Sequence, residues 1–429
     1  MSNVKVCDAI MSAGKSSAAI RYMNEHKDRK FIYITPYLEE AARIKAGCPD
    51  LYFIEPTDKL KQYGYRKVEH TAHLIADGRN IATTHQAFKG YTKETLENIR
   101  RHGYSLLIDE NVDVLEEFQF HPGDLKLAID AGCIKEENDI YVIGENKYEG
   151  AALRELFQLI RSRELLKLPV GGGETLFFWA LPPDLITSFD EVIIMTYLFK
   201  GQSLHHFLKM YGIPYAYIGV RRRDDGGYEF TDEPQPPPDY IKDIKNKLHI
   251  IDLPKLNEVG NGYYDLSMTW YEKTDGGAEK VKNNMYNCFR NIWKDIPADR
   301  KMWGAYNGQY SKLRGNGYSK SFLTFNAKAT NKYKDRDSLV YVVNTFMKVN
   351  EKTFYESRGI EVDEDMFALS VMIQWIWRSA IREGRETQLY IPSKRMRDLL
   401  TRWMDDISNG VNYGEWNDQP ERVQGMSLF

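Results

Sequence analysis

No two cysteines of this chain lie close together in sequence. The four present, Cys7, Cys48, Cys133 and Cys288, form neither a C-x-x-C pair nor a Cys/His cluster. That spacing argues against a zinc site or a disulfide framework and fits a reducing cytosol. Long apolar runs are missing too. Residues 1 to 20 have no apolar core of signal-peptide length, and the most apolar later stretch, Ala368 to Ile381, is interrupted by Gln374 and Arg378. The expectation is a soluble, cytoplasmic chain with no membrane partner. Nor does one sign of charge dominate. With 58 basic and 61 acidic residues the net charge is -3, so no global field draws the chain to nucleic acid, and any such contact must be local.

What is there is enough apolar material for two cores. The chain has 429 residues, 42% of them hydrophobic, and single cores stop growing at roughly 250–300 residues. From Val4 to Tyr217, short β-branched runs alternate with amphipathic stretches, the pattern of βαβ units and a mainly parallel sheet. The clearest strands are Val4–Cys7, Lys30–Ile34, Asn80–Thr83, Tyr104–Ile108 and Glu191–Met195. A second series follows at Leu248–Ile251, Met302–Tyr306, Ser321–Asn326, Leu339–Val343 and Gln388–Ile391. Between them, Arg221–Tyr240 holds a basic triplet, two glycines and four prolines, which neither a helix nor a central strand accommodates. The expected organisation is a first α/β lobe over 1–220, a linker or exposed hairpin over 221–243, a second α/β lobe over 244–409, and a tail over 410–429.

The first strand runs into Ala9-Ile10-Met11-Ser12-Ala13-Gly14-Lys15-Ser16, and a helical pattern follows from Ser17. Strand, small-residue loop and helix are the order a phosphate cradle requires, because loop N–H groups and the positive helix end can surround phosphate. Lys15 can reach the β- and γ-oxygens of ATP and the Ser16 hydroxyl can ligate Mg²⁺. Ala9, Ser12, Ala13, Gly14 and Ser17 complete the candidate nucleotide contacts. The alternative is an ordinary strand-to-helix turn with a solvated Lys15. A second element favours the cradle: Leu106-Leu107-Ile108-Asp109-Glu110 is an apolar strand ending in two carboxylates. Ligands of parallel sheets sit at carboxyl strand ends. Asp109 is placed to hold the metal and Glu110 to polarise an attacking water. The run Gly171-Gly172-Gly173 lacks a following Lys and helix, so it reads as a turn.

These elements, in this order, resemble superfamily 2 helicases, in which two RecA-like lobes close on ATP. AIMSAGKS is similar to that family's first motif, A-x-x-G-x-G-K-T, with Ser12 at the middle glycine. Tyr33-Ile34-Thr35-Pro36 resembles the segment after the second strand, and Ala82-Thr83-Thr84-His85-Gln86 the strand-end threonine motif. Ile108-Asp109-Glu110-Asn111 stands at the D-E-x-x motif, and Met195-Thr196-Tyr197-Leu198 at the coupling strand. Asn326-Ala327-Lys328-Ala329-Thr330-Asn331 resembles the fifth motif, and Gln374 through Arg382 the sixth. The resemblance spans Ala9 to Arg382. WIWRSAIREG followed by YIPSKRMRDLL also resembles helicase-like proteins encoded by bacterial viruses, which would place the chain in the host cytoplasm.

The resemblance implies an ATP-driven helicase or translocase moving on single-stranded nucleic acid, DNA ahead of RNA, in replication, recombination or repair. It implies Mg²⁺ and ATP in the cleft, replication or recombination proteins as partners, and Thr35, Thr84 and Thr330 against the nucleic-acid backbone. For the sixth motif the residues give their own reading. Asp363, Glu364 and Asp365 open a helix that Gly384 can end, and Gln374, Arg378 and Arg382 would share one face at i, i+4, i+8. An arginine there can meet charge developing on the γ-phosphate, typically worth ~10³-fold or more in rate. The family's second arginine falls seven residues after the glutamine, where this chain has Ile381, so Arg378 ranks ahead of Arg382. Two rivals stay open: a P-loop phosphotransferase, and an ATP-gated nucleic-acid clamp or replisome accessory protein that hydrolyses little.

Overall fold

The computed structural model describes residues 3–411 except 37, 65, 118–121, 138–139, 147–152, 170–174 and 328–331. The glycine run 171–173, Thr330 and the tail beyond residue 411 lie outside the described residues. Four strands open the chain: β1 (Asn3–Asp8), β2 (Lys30–Thr35), β3 (Ile81–Thr84) and β4 (Tyr104–Asp109). An excursion follows through β5 (Leu115–Glu117), β6 (Ile134–Glu137), β7 (Ile140–Ile143), β8 (Glu164–Pro169) and β9 (Thr175–Ala180). The chain then returns with β10 (Glu191–Thr196), β11 (Tyr215–Arg222) and β12 (Tyr228–Thr231). A second series consists of β13 (Leu248–Ile250), β14 (Lys301–Gly304), β15 (Ser338–Tyr341) and β16 (Thr387–Tyr390).

The first sheet has the order β12-β11-β1-β10-β4-β2-β3, parallel except for β12. Its central strands are apolar runs because helices cover both faces, and β10 is buried along its whole length. Register carries the layers across: Val6 lies opposite Ile194, Ile194 opposite Ile108, and Ile108 opposite Ile34. The second sheet, β13-β16-β15-β14, is parallel throughout. The architecture is therefore two α/β lobes, each a mainly parallel sheet flanked by helices.

Three features depart from the sequence reading or select among its alternatives. The first lobe is interrupted by a separate antiparallel sheet, β5-β9-β8-β7-β6, with its own small core around Leu156, Leu165 and Trp179. β5 and β6 are short and rich in charge, while the apolar runs of β7, β8 and β9 do not differ by alternation alone from those of the parallel series. A buried lysine, Lys89, ties it back by bonding Glu116 at 2.8 Å, and Arg163 meets the same carboxylate at 2.6 Å. Second, Arg221 and Arg222 belong to β11, and Glu229 of the hairpin's other strand pairs with Arg221 and Arg223 at 2.7 and 2.6 Å. Those cations are matched locally. Third, Ser321–Asn326 is not a strand of the sheet but lies along β14 at its edge, with one bridge, Trp303 with Phe322, and backbone bonds from Leu323 to Trp303 and from Phe325 to Ala305.

The lobes meet along the helix Glu364–Ile376. One apolar cluster runs without a break from Ala18, Met23 and Leu198 of the first lobe to Met366, Ile373 and Trp403 of the second. The Trp403 indole N–H donates to the Tyr197 hydroxyl at 2.7 Å. Gly201 sits where the two backbones touch: a Cβ there would lie 2.6 Å from the Met366 carbonyl carbon and the Phe367 nitrogen. Gly201→Val should therefore cost about 1–3 kcal/mol by overpacking. Urea unfolding measures it; a midpoint equal to the parent's would mean that the lobes do not press together here.

Candidate functional site

β1 ends in Asp8, and the chain turns through Ala9–Gly14 before the helix Lys15–Glu25 begins. The turn is fixed by two backbone bonds, Ala9 N–H to the Thr196 carbonyl at 3.0 Å and Ala13 N–H to the Ile10 carbonyl at 3.2 Å. Ser12 and Gly14 both have left-handed backbones, with φ of 68° and 95°. At Ser12 this costs on the order of 1 kcal/mol relative to glycine, which explains why a glycine would suit the position. Gly14 is required twice over, because the Tyr228 ring from β12 lies where its Cβ would be, 2.1 Å from that point. The Tyr240 hydroxyl donates to the Ser12 carbonyl at 2.8 Å. The hairpin and the segment after it thus press on the loop from outside.

Lys15 curls back over this loop. Its ammonium donates to the carbonyls of Ala9 and, at 3.0 Å, of Ile10. Burial lowers its pKa, and the nearby Asp109, Asp8 and Glu110 oppose that shift. Ser16 lies beside the Tyr33 hydroxyl, whose proton burial holds well above the usual range. Ser17 accepts from Arg43 at 3.0 Å. Asp8, which the sequence reading passed over, accepts the N–H groups of Leu198 and Phe199 at 2.7 and 2.9 Å. It fastens the root of the Ala9–Gly14 loop to the end of β10. The signal for it was available: it too is a carboxylate closing an apolar strand.

Asp109 and Glu110 stand beside this loop at the end of β4. Glu110 is left-handed, with φ of 62°, and its N–H donates to the Met195 carbonyl at 3.0 Å. The His85 Nε2–H donates to the Asp109 carbonyl at 2.8 Å. Burial, followed by the charges of Glu110 and Glu40, pushes the Asp109 carboxyl up to about 7. The Tyr33 hydroxyl lies beside both this carboxyl and Ser16, and a carboxylate and a hydroxyl so placed fit the way Mg²⁺ is bound by few protein groups plus phosphate oxygens. Thr35 departs from its expected place against a nucleic-acid backbone: it is 1% exposed and its hydroxyl reaches Asp109 at 3.5 Å, so it faces the strand-end carboxylate. Thr84 is half-buried at the end of β3.

The second lobe contributes one arginine. The helix expected to run on to Gly384 ends at Ile376; Ser379 is extended, its hydroxyl donating to the Ile376 carbonyl at 2.6 Å, and a separate 3-10 turn spans Ala380–Glu383. The Ala380 N–H is drawn to the Arg336 carbonyl at 2.7 Å. The i, i+4, i+8 stripe therefore does not exist. Arg378, 4% exposed, meets the Glu110 carboxylate at 3.2 Å across 268 residues of sequence. Its Nε has no partner among the described residues, leaving a buried donor for an incoming oxygen. Arg382 is exposed on the separate turn. Gln374 donates to Ser370 at 3.2 Å and not to the cleft. Ser370, Gln202 and Thr196 continue that chain back into the first lobe, the last link, Thr196 to Gln202, being 2.8 Å.

Two predictions concern the carboxylate end. Because Asp109 has a folded pKa above its unfolded value, ionising it weakens the nucleotide-free fold as pH rises from about 4 through about 7. Asp109→Asn should therefore stabilise the protein at pH 8 and not at pH 4. A three-unit shift is ~4 kcal/mol, halved to about 2 for the water that reaches a partly exposed carboxyl. Urea unfolding at both pH values tests this, and an equal effect at the two would refute it. For the same reason, Mg²⁺-dependent nucleotide affinity in a fluorescence titration should fall as pH drops below about 7.

The C-terminal part of the chain, residues 242–404, matches the family model described as the YonV C-terminal Rossmann-like domain. Among solved structures, the one described as XPD helicase covers 96% of this chain and 95% of its own, at 11% identity and TM-score 0.45. The Xpd4 structure of S. tokodaii covers 94% of each chain, at 10% identity and TM-score 0.48. No helix among the described residues is long and apolar enough to cross a membrane. The SPbeta prophage-derived uncharacterized protein YonV of Bacillus subtilis (strain 168) is 36% identical over 412 residues, 95% of this chain and all of that protein. On that full-length likeness, the chain belongs to the YonV family.

Proposed function

We propose that this protein is an ATP-hydrolysing motor of the helicase type that translocates along single-stranded nucleic acid. The observation that carries the reading is the contact of Glu110 with Arg378 beside Lys15: three groups from three distant parts of the sequence converge on one point between the lobes. Bound Mg²⁺ would supply charge neutralisation to the phosphates, held by Ser16 and Asp109. Lys15 exchanges its own loop's carbonyls for phosphate oxygens. Glu110 orients water and takes its proton. Arg378, once it lets go of Glu110, offers its guanidinium to the charge that develops during transfer. Thr196, Gln202 and Ser370 carry the change from the strand end beside the loop into the second lobe.

The motif order supports single-stranded nucleic acid as the track, and the prophage-derived relative supports work on viral DNA in the host cytoplasm, alongside replication or recombination proteins. A slowly hydrolysing ATP-gated clamp is the second reading, favoured by the hold of Lys15 on its own loop. Turnover measured with and without single-stranded DNA separates the two, since a clamp stays near background in both.

The motor reading makes two further claims. Glu110→Gln should cut DNA-stimulated turnover by ~10²-fold or more with nucleotide binding retained. Arg378→Lys should lower it by ~10³-fold, whereas Arg382→Lys should leave it within about twofold. Undiminished turnover of the Glu110 variant removes that residue from the mechanism, and loss confined to the Arg382 variant assigns the wrong arginine.

A further inference from the structure

The net charge hides a local concentration. Between Asp299 and Asp335 the chain carries eight Lys or Arg and no Asp or Glu. Part of this stretch is the crossover that leaves β14 at Gly304 and returns to pair beside it at Phe322. Its sequence, NGQYSKLRGNGYSKS, is rich in glycine, amides and hydroxyls, the groups that contact a sugar-phosphate chain without reading bases.

The side chains are sorted. Gln309, Leu313, Tyr318 and Ser321 are buried, while Lys312, Arg314 and Lys320 are exposed. Lys312 and Lys320 pair with no carboxylate among the described residues, unlike the cations of the β11–β12 hairpin. A further cation comes from another element: the Arg290 guanidinium lies 3.4 Å from where a Gly317 Cβ would be. The turn itself is rigid. Tyr310 stacks on Trp303 at 5.9 Å, the Arg314 guanidinium lies 5.9 Å over Tyr310, and the Tyr318 hydroxyl donates to the Leu313 carbonyl at 2.9 Å. Solvated charge on a flexible loop needs no such support. The same aromatic base is continuous with the helix Glu364–Ile376 that precedes Arg378, since the Trp375 indole donates to the Leu323 carbonyl at 3.1 Å and the Leu323 N–H donates to the Trp303 carbonyl.

We propose that the crossover Asn307–Lys320, with Lys312, Arg314, Lys320 and the neighbouring Arg290, is a phosphate-backbone contact surface for the nucleic-acid strand. The assignment rests on the motor reading and adds to it a grip on the second lobe that moves as one body with Arg378. Positive charge held in place, in a stretch of sequence without Asp or Glu and with no carboxylate partner for Lys312 or Lys320 among the described residues, is what backbone binding by counterion release requires.

The test uses the full chain and a fluorescein-labelled oligothymidylate, with affinity measured by anisotropy over a salt series. K312A/R314A/K320A should bind ~10-fold or more weakly at low salt, and the slope of log affinity against log salt should fall by about 2, at ~0.7 per lost phosphate contact. ATP binding by the same variant should match the parent's, which reports its folding. K27A/K135A/K242A, which removes three exposed cations elsewhere, should behave as the parent. A parent that binds the oligonucleotide with the crossover variant unchanged in affinity and slope overturns the surface alone. A parent that binds ATP and no oligonucleotide overturns the motor reading and the surface with it. Equal losses in both triple variants would assign the effect to net charge and also overturn the surface.

Discussion

The Glu110–Arg378 contact joins the end of β4 in the first lobe to the second lobe across 268 residues of sequence. As an ion pair taken out of water it adds little net stability, because desolvating both groups offsets most of their attraction. What holds the lobes together is the apolar cluster that runs from the helix Lys15–Glu25 to Trp403. The ion pair instead specifies register. A carboxylate at φ 62° and a buried guanidinium with an unused Nε can meet only in one relation of the two lobes.

That register depends on how the carboxyl ends of β1, β4 and β10 are laced together. Asp8 ties the loop's root to Leu198 and Phe199, Glu110 bonds back to Met195, and Ala9 to Thr196. Each bond joins neighbouring strands at the end where a parallel sheet binds ligands. The charges there are unbalanced without a ligand: Asp109 is held at about 7 and Lys15 is turned onto its own carbonyls. These two features are what the proposed nucleotide reading rests on, since a metal ion and phosphate oxygens would answer both.

The antiparallel insert lies outside this arrangement but not free of it. One face of its sheet reaches the second lobe through Phe178 of β9, which packs on Phe354 with ring centroids 4.8 Å apart, and it is anchored to the first through Lys89 on Glu116. The insert therefore bridges both lobes on the side of the helix Val349–Glu356. Its position follows from sequence order alone, since it occupies the connection between the strand that carries Asp109 and the strand that couples to the second lobe.

Much of this was legible in one dimension. The apolar strands, the loop at Lys15 and the paired carboxylates declare themselves because strand periodicity and turn chemistry act over neighbouring residues. Asp8 was readable by the same rule and was missed. What no local pattern could give is where the arginines go. Gln374, Arg378 and Arg382 keep perfect helical spacing in sequence, yet the helix ends at Ile376 because Ala380 finds a better acceptor in Arg336, from a segment more than forty residues earlier. Thr35 likewise matched a motif but was drawn inside by Asp109. Sequence determined which groups are available at the strand ends, since that is set by short-range backbone geometry; tertiary packing decided which of them face one another, since burial and long-range hydrogen bonds outweigh helix propensity of a few tenths of a kcal/mol per residue.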